Sequence, residues 1–549
     1  MVVPRLTWPA KAHGGAAHRL LHSLLLLLLL LLLHVATGSG ALARDAVAGA
    51  EVTAPAPTVN SCAPAAVHVL PAAAPAASWL SGAQGLAPQA LQLLRAAPEH
   101  GLDVRRYGVD ELSRRLAGPE GASAVFARDL ERAMVQYLCD LHGGRAAWAN
   151  RVSAAPDTGF DPRQRLATVH DAQGLARAID AAVPAIPLYG RVKAALAQYR
   201  ALSLATPAWP ALPPVAQAAI RPGKPYAGAA LLQARLQLLG DLDARAPMGS
   251  DGIYTPALAG AVRRFQARHG LDEDGVLGTA TVTALSVPPA HRIAQLALTL
   301  ERLRWLPPPP AHGRVVVVNV PTYRLWAFDA RDNFAAPALE MRVIVGARGR
   351  TPTPLFIGEM RYLEFAPYWN VPASIQKNEI LPKLARNPAY LQQNDMELVA
   401  PDGRLLQAGG GDALSQLRTG SARVRQRPGP RNVLGDVKFA LPNPMNIYLH
   451  STSARELFKR THRDLSHGCI RVEQPAELAQ FVLADSQQWS GAQVAAAMSA
   501  GKNRFVKLAA PVPVVLFYAT ALVDRDGRAL FAPDIYRRDD ALIAALQLE

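Results

Sequence analysis

At Arg314 the apolar residues of this 549-residue chain change period, from every third or fourth position to every second. Residues three and four apart share a helix face and alternate residues share a strand face, so the chain has to build two architectures. On the strand side, Val315–Val320, Tyr323–Phe328 and Leu339–Val345 predict antiparallel strands, with turns near Pro321 and over Asp329–Asn333. Two further strands are expected around an Asp526-Gly527 turn. On the helical side, Ala87–Ala96 and Ala122–Leu141 carry apolar residues at helical spacing, interrupted by Gly101, Gly108 and Gly118. This predicts a helical scaffold over 79–215 that ends in a linker at Pro207–Pro214. Residues 221–288 form a separate small unit. Leu232, Leu236 and Leu239 make one stripe, and Leu258, Val262 and Phe265 another that stops at Gly270. Asp251-Gly252 and Asp274-Gly275 supply its turns, and Gly278-Thr279 opens its last helix. The expected class is α+β multidomain, with a mostly β domain beyond Arg314.

Candidate chemistry concentrates in Tyr448–Val472, YLHSTSARELFKRTHRDLSHGCIRV. A cysteine attacks as a thiolate, so Cys469 needs a base or a positive field. His450, His462 and His467 are candidate bases, and Arg455, Lys459, Arg460, Arg463 and Arg471 supply the field. Met445–Leu449 reads as a strand that presents His450 at its end, and Ile470–Val472 as a second strand. With alternating faces, His467, Cys469 and Arg471 would point the same way. Gly468 lets the backbone come close beside the sulfur, so amides here are candidate oxyanion donors. The same side chains also admit a zinc site of His450, His462, His467 and Cys469, although neither paired cysteines nor an H-E-x-x-H spacing is present.

The formal charge of +15 favours an anionic partner such as nucleic acid, anionic lipid or an acidic wall polymer. No nucleic-acid-binding motif is present, and the charge is scattered rather than gathered on one helix. Arg5, Lys11 and Arg19, the leucine-rich run Leu20–Val35 and the site Ala41-Leu42-Ala43 predict a secretory signal peptide over 1–43. An uncleaved membrane anchor is the alternative. An Ala/Pro-rich linker follows over 44–78. The three cysteines, Cys62, Cys139 and Cys469, leave a Cys62–Cys139 bridge open.

His450, a variable segment and Ser466-His467-Gly468-Cys469 resemble the signature of the L,D-transpeptidases with a YkuD-type catalytic domain. The strings around Arg350-Thr351-Pro352, Trp369-Asn370-Val371-Pro372 and Asn432-Val433-Leu434-Gly435 resemble the large YcbB-like branch of that family. EHGLDVRRYGVDEL resembles the N-terminal part of the same branch, and residues 221–288 resemble the three-helix peptidoglycan-binding domain type 1. The resemblance implies a catalytic domain over 313–509 with a capping lid over about 373–425, and a tail over 510–549 that completes the scaffold. It implies Cys469 as nucleophile and His450 as proton acceptor and donor, with the amides of His467, Gly468 and Cys469 as the oxyanion hole. Arg471, Trp369 and Ser466 are candidates for substrate binding; Arg471 reads equally as a surface salt bridge, whereas Trp369 reads more as sheet core and Ser466, like Lys438 and Tyr448, more as structural. The implied reaction is 3→3 cross-linking of peptidoglycan stem peptides through a thioester, with loss of terminal D-Ala and no cofactor. Carbapenem-type β-lactams are implied as acylating inhibitors and the periplasm as the compartment. A wall-binding protein without catalysis is the other reading. The acceptor stays open among a second stem, a protein amine and water.

One departure from the branch concerns the base. Its catalytic histidine is usually followed by Asp-Thr-Pro, whereas this chain has Ser451-Thr452-Ser453. If a main-chain carbonyl holds the imidazole, the side chain at 451 is free to vary.

Overall fold

The computed structural model describes Cys62 and residues 85–146, 159–215, 219–246, 252–406, 410–484 and 488–548. The expected signal peptide, and the linker apart from Cys62, lie outside the described residues. Among those residues no helix is long and apolar enough to cross a membrane.

Helices fill the first half of the described chain. Ala124–Gly143 begins where Ser123 accepts from the Phe126 amide at 3.1 Å, satisfying one of the donors that every helix start leaves over. It buries Leu130, Met134, Leu138 and Leu141. Cys139, on the same helix, is joined to Cys62 by a disulfide, closing the pairing that the sequence left open. The helices Pro187–Ala205 and Pro289–Leu303 pack against each other and against a C-terminal hairpin. Within 221–288 three helices, Ala229–Leu238, Pro256–Ala267 and Thr279–Ser286, enclose a core around Leu232, Val262 and Phe265. Gln266 holds the Asp274-Gly275 turn by accepting from the Gly275 amide at 2.8 Å and donating to Asp274 Oδ1 at 3.0 Å.

From Arg314 the chain makes strands: β1 (Arg314–Asn319), β2 (Arg324–Asp329), β3 (Leu339–Gly346), β4 (Ile357–Phe365), β5 (Trp369–Asn370), β6 (Met396–Val399), β7 (Leu405–Leu406), β8 (Arg423–Gln426), β9 (Val437–Ala440), β10 (Leu449–His450), β11 (Asp464–Ser466), β12 (Ile470–Val472), β13 (Arg504–Phe517), β14 (Ala521–Val523) and β15 (Ala529–Phe531). The main sheet runs β11-β3-β12-β10-β9-β4-β13-β1-β2, and pairing of β2 with β3 closes it on itself. Closure removes the open edges that would otherwise template other chains. The hairpins β1–β2 and β2–β3 are antiparallel as expected, while β1–β13, β10–β12 and β3–β11 are parallel. Val316, Val318, Leu325, Phe365, Phe439 and Leu516 point inward and are completely buried. Each such side chain contributes about 1.5–3 kcal/mol by leaving water.

Two segments depart from expectation. Met445–Leu449 is mostly a turn, because Asn443 Oδ1 accepts from the amides of Met445 and Ile447; only Leu449 and His450 pair as a strand. The expected break at 509/510 falls inside β13, which pairs with β4 on one side and β1 on the other. One strand therefore belongs to the barrel and leads directly into the β14–β15 hairpin. Between β4 and β9 an excursion forms a small sheet, β5-β8-β6-β7, around its own core of Trp369, Ile380, Leu398 and Val424.

Candidate active site

Strand β10 lies between β9 and β12, with Leu449 opposite Phe439 and Ile470 and His450 opposite Lys438 and Arg471. Leu449, Phe439 and Ile470 fill the barrel core. Their neighbours Lys438, His450 and Arg471 therefore share the other face. The Ile470 amide donates to the Tyr448 carbonyl at 3.1 Å, which sets Cys469 beside Tyr448. A polar row thus crosses three strands just before the barrel core begins.

His450 is only 4% exposed. Its Nδ1 lies 2.5 Å from the main-chain oxygen of Ser451. A carbonyl only accepts, so Nδ1 carries the proton and Nε2 is the basic nitrogen. Burial pulls the ring pKa down to about 3; the Arg471 charge adds to that, and the carbonyls of Ser451 and Leu434 oppose it. Among the described residues the buried Ser451 hydroxyl has no hydrogen-bond partner, so the serine acts on the ring through its backbone. Gly435, with φ of +61°, lies against it: a Cβ there would sit 2.5 Å from Ser451 Oγ.

Cys469 is half-buried, and its sulfur faces the Asn446 carbonyl at 3.6 Å. Burial pushes the thiol up, while hydrogen bonding with Tyr448 and the charges of Lys438 and Arg471 pull it down. Lys438 Nζ stands 4.7 Å over the Tyr448 ring and 3.7 Å from Glu364, which Asn503 also contacts at 3.0 Å.

The turn that carries Cys469 is held from several directions. Gly468 has φ of +112°, a conformation that a side chain disfavours. Its carbonyl accepts from Thr353 Oγ1 at 2.8 Å, and Thr351 Oγ1 donates to the Ser466 carbonyl at 3.0 Å. Tyr536, from the C-terminal tail, accepts from the Thr353 amide at 3.1 Å and donates to the Gly346 carbonyl at 2.5 Å. Thr353 and Tyr536 had no signal in the sequence beyond their place in strings with a family likeness.

Several sequence candidates need correction. The Gly468 amide donates to Ser466 Oγ at 3.1 Å and so is not available as an oxyanion donor. Among the described residues, the amides of His467 and Cys469 have no acceptor. Ser466 is 3% exposed and also donates to the Cys469 carbonyl at 2.6 Å, which makes it a brace of the turn rather than a substrate contact. Trp369 is packed into the core of the excursion and presents no free face to substrate. His467 does not share the face of Cys469: the turn at Gly468 sends it outward, where Nε2 meets Glu379 Oε1 of the excursion at 2.5 Å. The zinc reading fails for the same reason. His462 is exposed and His467 is paired elsewhere, and among the described residues no three His, Cys, Asp or Glu side chains gather as a metal site. Arg471 remains close to both Cys469 and His450; among the described residues its buried Nε has no hydrogen-bond partner.

Comparison with known proteins adds three family matches: the L,D-transpeptidase catalytic domain over 313–512, the "Putative peptidoglycan binding domain" over 227–285, and a scaffold domain over 74–196. A Haemophilus influenzae protein named "Putative L,D-transpeptidase" is 32% identical over 245 residues, covering 45% of this chain and 48% of that protein. The chain thus spans about half the length of that relative. A solved L,D-transpeptidase from Xylanimonas cellulosilytica covers 56% of this chain and 100% of its own at 17% identity and a TM-score of 0.17, an overlap too slight to add to the assignment. By these matches the chain is similar, region by region, to a scaffold domain, a peptidoglycan-binding domain and the YkuD-type L,D-transpeptidase catalytic domain.

Proposed function

We propose that the chain is an exported L,D-transpeptidase that acts on peptidoglycan stem peptides through a thioester on Cys469. The observation that carries this reading is the polar row itself: a thiol at the entrance of β12 and a buried, neutral imidazole on adjoining β10, with the imidazole proton committed to the Ser451 carbonyl. His450 Nε2 takes the Cys469 proton as sulfur bonds to the carbonyl carbon that joins the third stem residue to terminal D-Ala. The oxyanion is received by the amides of His467 and Cys469. His450 returns the proton to the departing D-Ala amine as the C–N bond breaks, leaving a thioester. A stem amine then attacks, gives its proton to His450, and the thiol is regenerated. The product is a 3→3 cross-link. Arg471, a buried cation beside Cys469 and His450, binds a stem carboxylate.

The peptidoglycan-binding domain supports a wall substrate, and the Cys62–Cys139 disulfide supports an oxidising compartment such as the periplasm. Carbapenem-type β-lactams acylate the same sulfur in this scheme. The test is incubation of purified protein with defined tetrapeptide muropeptides, with products read by mass spectrometry. Release of D-Ala with formation of a 3→3 dimer is expected. D-Ala release without dimer would make the acceptor water, and absence of both would refute the assignment.

A further inference from the structure

The outer face of the barrel is apolar where most sheets turn polar. Strand β1 contains four consecutive valines, so both of its faces are hydrocarbon. Val316 and Val318 enter the barrel core, while Val315 and Val317 point out toward the helices Pro187–Ala205 and Pro289–Leu303. The helices do not cover this face completely. They leave a cavity of about 760 Å³ floored by β1, β2, β4 and β13. Proteins enclose small ligands in volumes of roughly 300–1,000 Å³.

The lining points to hydrocarbon. Trp326, Phe328 and Phe334 all border the cavity and are only half-buried, an unusual exposure for three aromatic rings together. Pro307–Pro310 forms another wall. Proline has no backbone N–H, so that wall presents no donors either.

The rim carries charge. Arg191 and Arg525 both border the cavity; Arg191 Nε donates to the Val523 carbonyl at 3.4 Å and Arg525 Nη2 to the Pro337 carbonyl at 3.3 Å. Among the described residues neither has a carboxylate in ion-pair range, whereas the rim acids Glu340 and Glu359 are matched by Arg324 at 2.6 Å and Arg361 at 2.7 Å. Asp524 is the remaining acid, leaving two arginines against one carboxylate. We propose that this cavity binds one long-chain fatty acid, with the chain along Val317, Trp326 and Phe328 and the carboxylate at Arg191 and Arg525. Walls of sheet, helix and proline segment enclose a single chain, which distinguishes this site from a face that lies on a bilayer.

The test is titration of the full chain with cis-parinaric acid, excited by energy transfer from tryptophan, followed by displacement with palmitate or hexadecanol. Saturable binding of one probe per chain is expected. Trp326→Phe should lower the transfer signal and leave displacement intact. The double variant Arg191→Gln/Arg525→Gln should weaken palmitate by about tenfold, the scale of one charge-assisted contact, and leave hexadecanol unchanged. Absence of saturable binding would overturn the proposal. So would transfer unaffected by Trp326→Phe, palmitate binding equal in the parent and the double variant, or binding confined to phosphatidylglycerol vesicles.

Discussion

The main-chain oxygen of Ser451 lies 2.5 Å from Nδ1 of His450, while the buried hydroxyl of the same serine has no hydrogen-bond partner among the described residues. The imidazole is held by a group that every residue type possesses. Ser451→Ala should therefore retain most activity, whereas His450→Ala should lose at least roughly 100-fold, the usual scale for a general base. Cys469 acylation rates for the three proteins check this. A Ser451→Ala variant as slow as His450→Ala would show that the side chain holds the ring.

Gly435 sets that carbonyl from behind. A Cβ at 435 would meet Ser451 Oγ at 2.5 Å and Ser451 Cβ at 2.7 Å, at a φ that disfavours any side chain. Gly435→Ala should cost about 1–2 kcal/mol of stability from the backbone alone. It should also slow acylation more than Ser451→Ala does, because it moves the carbonyl and not only the hydroxyl. Equal rates for Gly435→Ala and the parent would place the constraint elsewhere.

Much of this was legible in the sequence, and the remainder depended on contacts between distant segments. The period of two beyond Arg314 marked β1 to β3, because alternate burial leaves that imprint on any strand. His450 and Cys469 stood out as candidates because their chemistry restricts the residue types, and the likeness to a family added their order. The ties of Thr353 and Tyr536 to the turn at Cys469 were not visible, since a hydrogen bond across 183 residues has no local pattern. The loss of the Gly468 amide to Ser466 was likewise hidden, because it follows from the turn geometry rather than from residue type. Trp369 read first as core and only second as a binding wall, and it packs into the core of the excursion.

Protonation should follow the two depressed and raised groups. With its pKa at about 3, His450 stays neutral, so no imidazolium-dependent loss is expected between about pH 5 and 8. The thiol is pushed up by burial, so iodoacetamide alkylation of Cys469 should rise with pH beyond neutrality. Arg471 lowers both groups. Removing its charge in Arg471→Ala should move the alkylation limb to higher pH and raise the His450 pKa. A limb that moved to lower pH would contradict the assigned field.

Cys62 and Cys139 are joined across 77 residues, leaving Cys469 as the free thiol among the three cysteines. Native protein should accept one alkylating group, and reduced, unfolded protein three. Cys139→Ser should lower stability by about 2–4 kcal/mol, measured by thermal denaturation of the intact chain. Three alkylated thiols before reduction would refute the bridge.

The most direct measurement of the central claim is the intact mass of the protein during turnover of a tetrapeptide stem, with Cys469→Ala as the control. The account predicts a covalent adduct equal to the stem less D-Ala, mapped by peptide digestion to Cys469, which disappears when an amine acceptor is added. The alanine variant should form no adduct and release no D-Ala while keeping its fold, since little volume is lost at a half-buried site. Undiminished D-Ala release by Cys469→Ala, or an adduct mapped to any other residue, would contradict it.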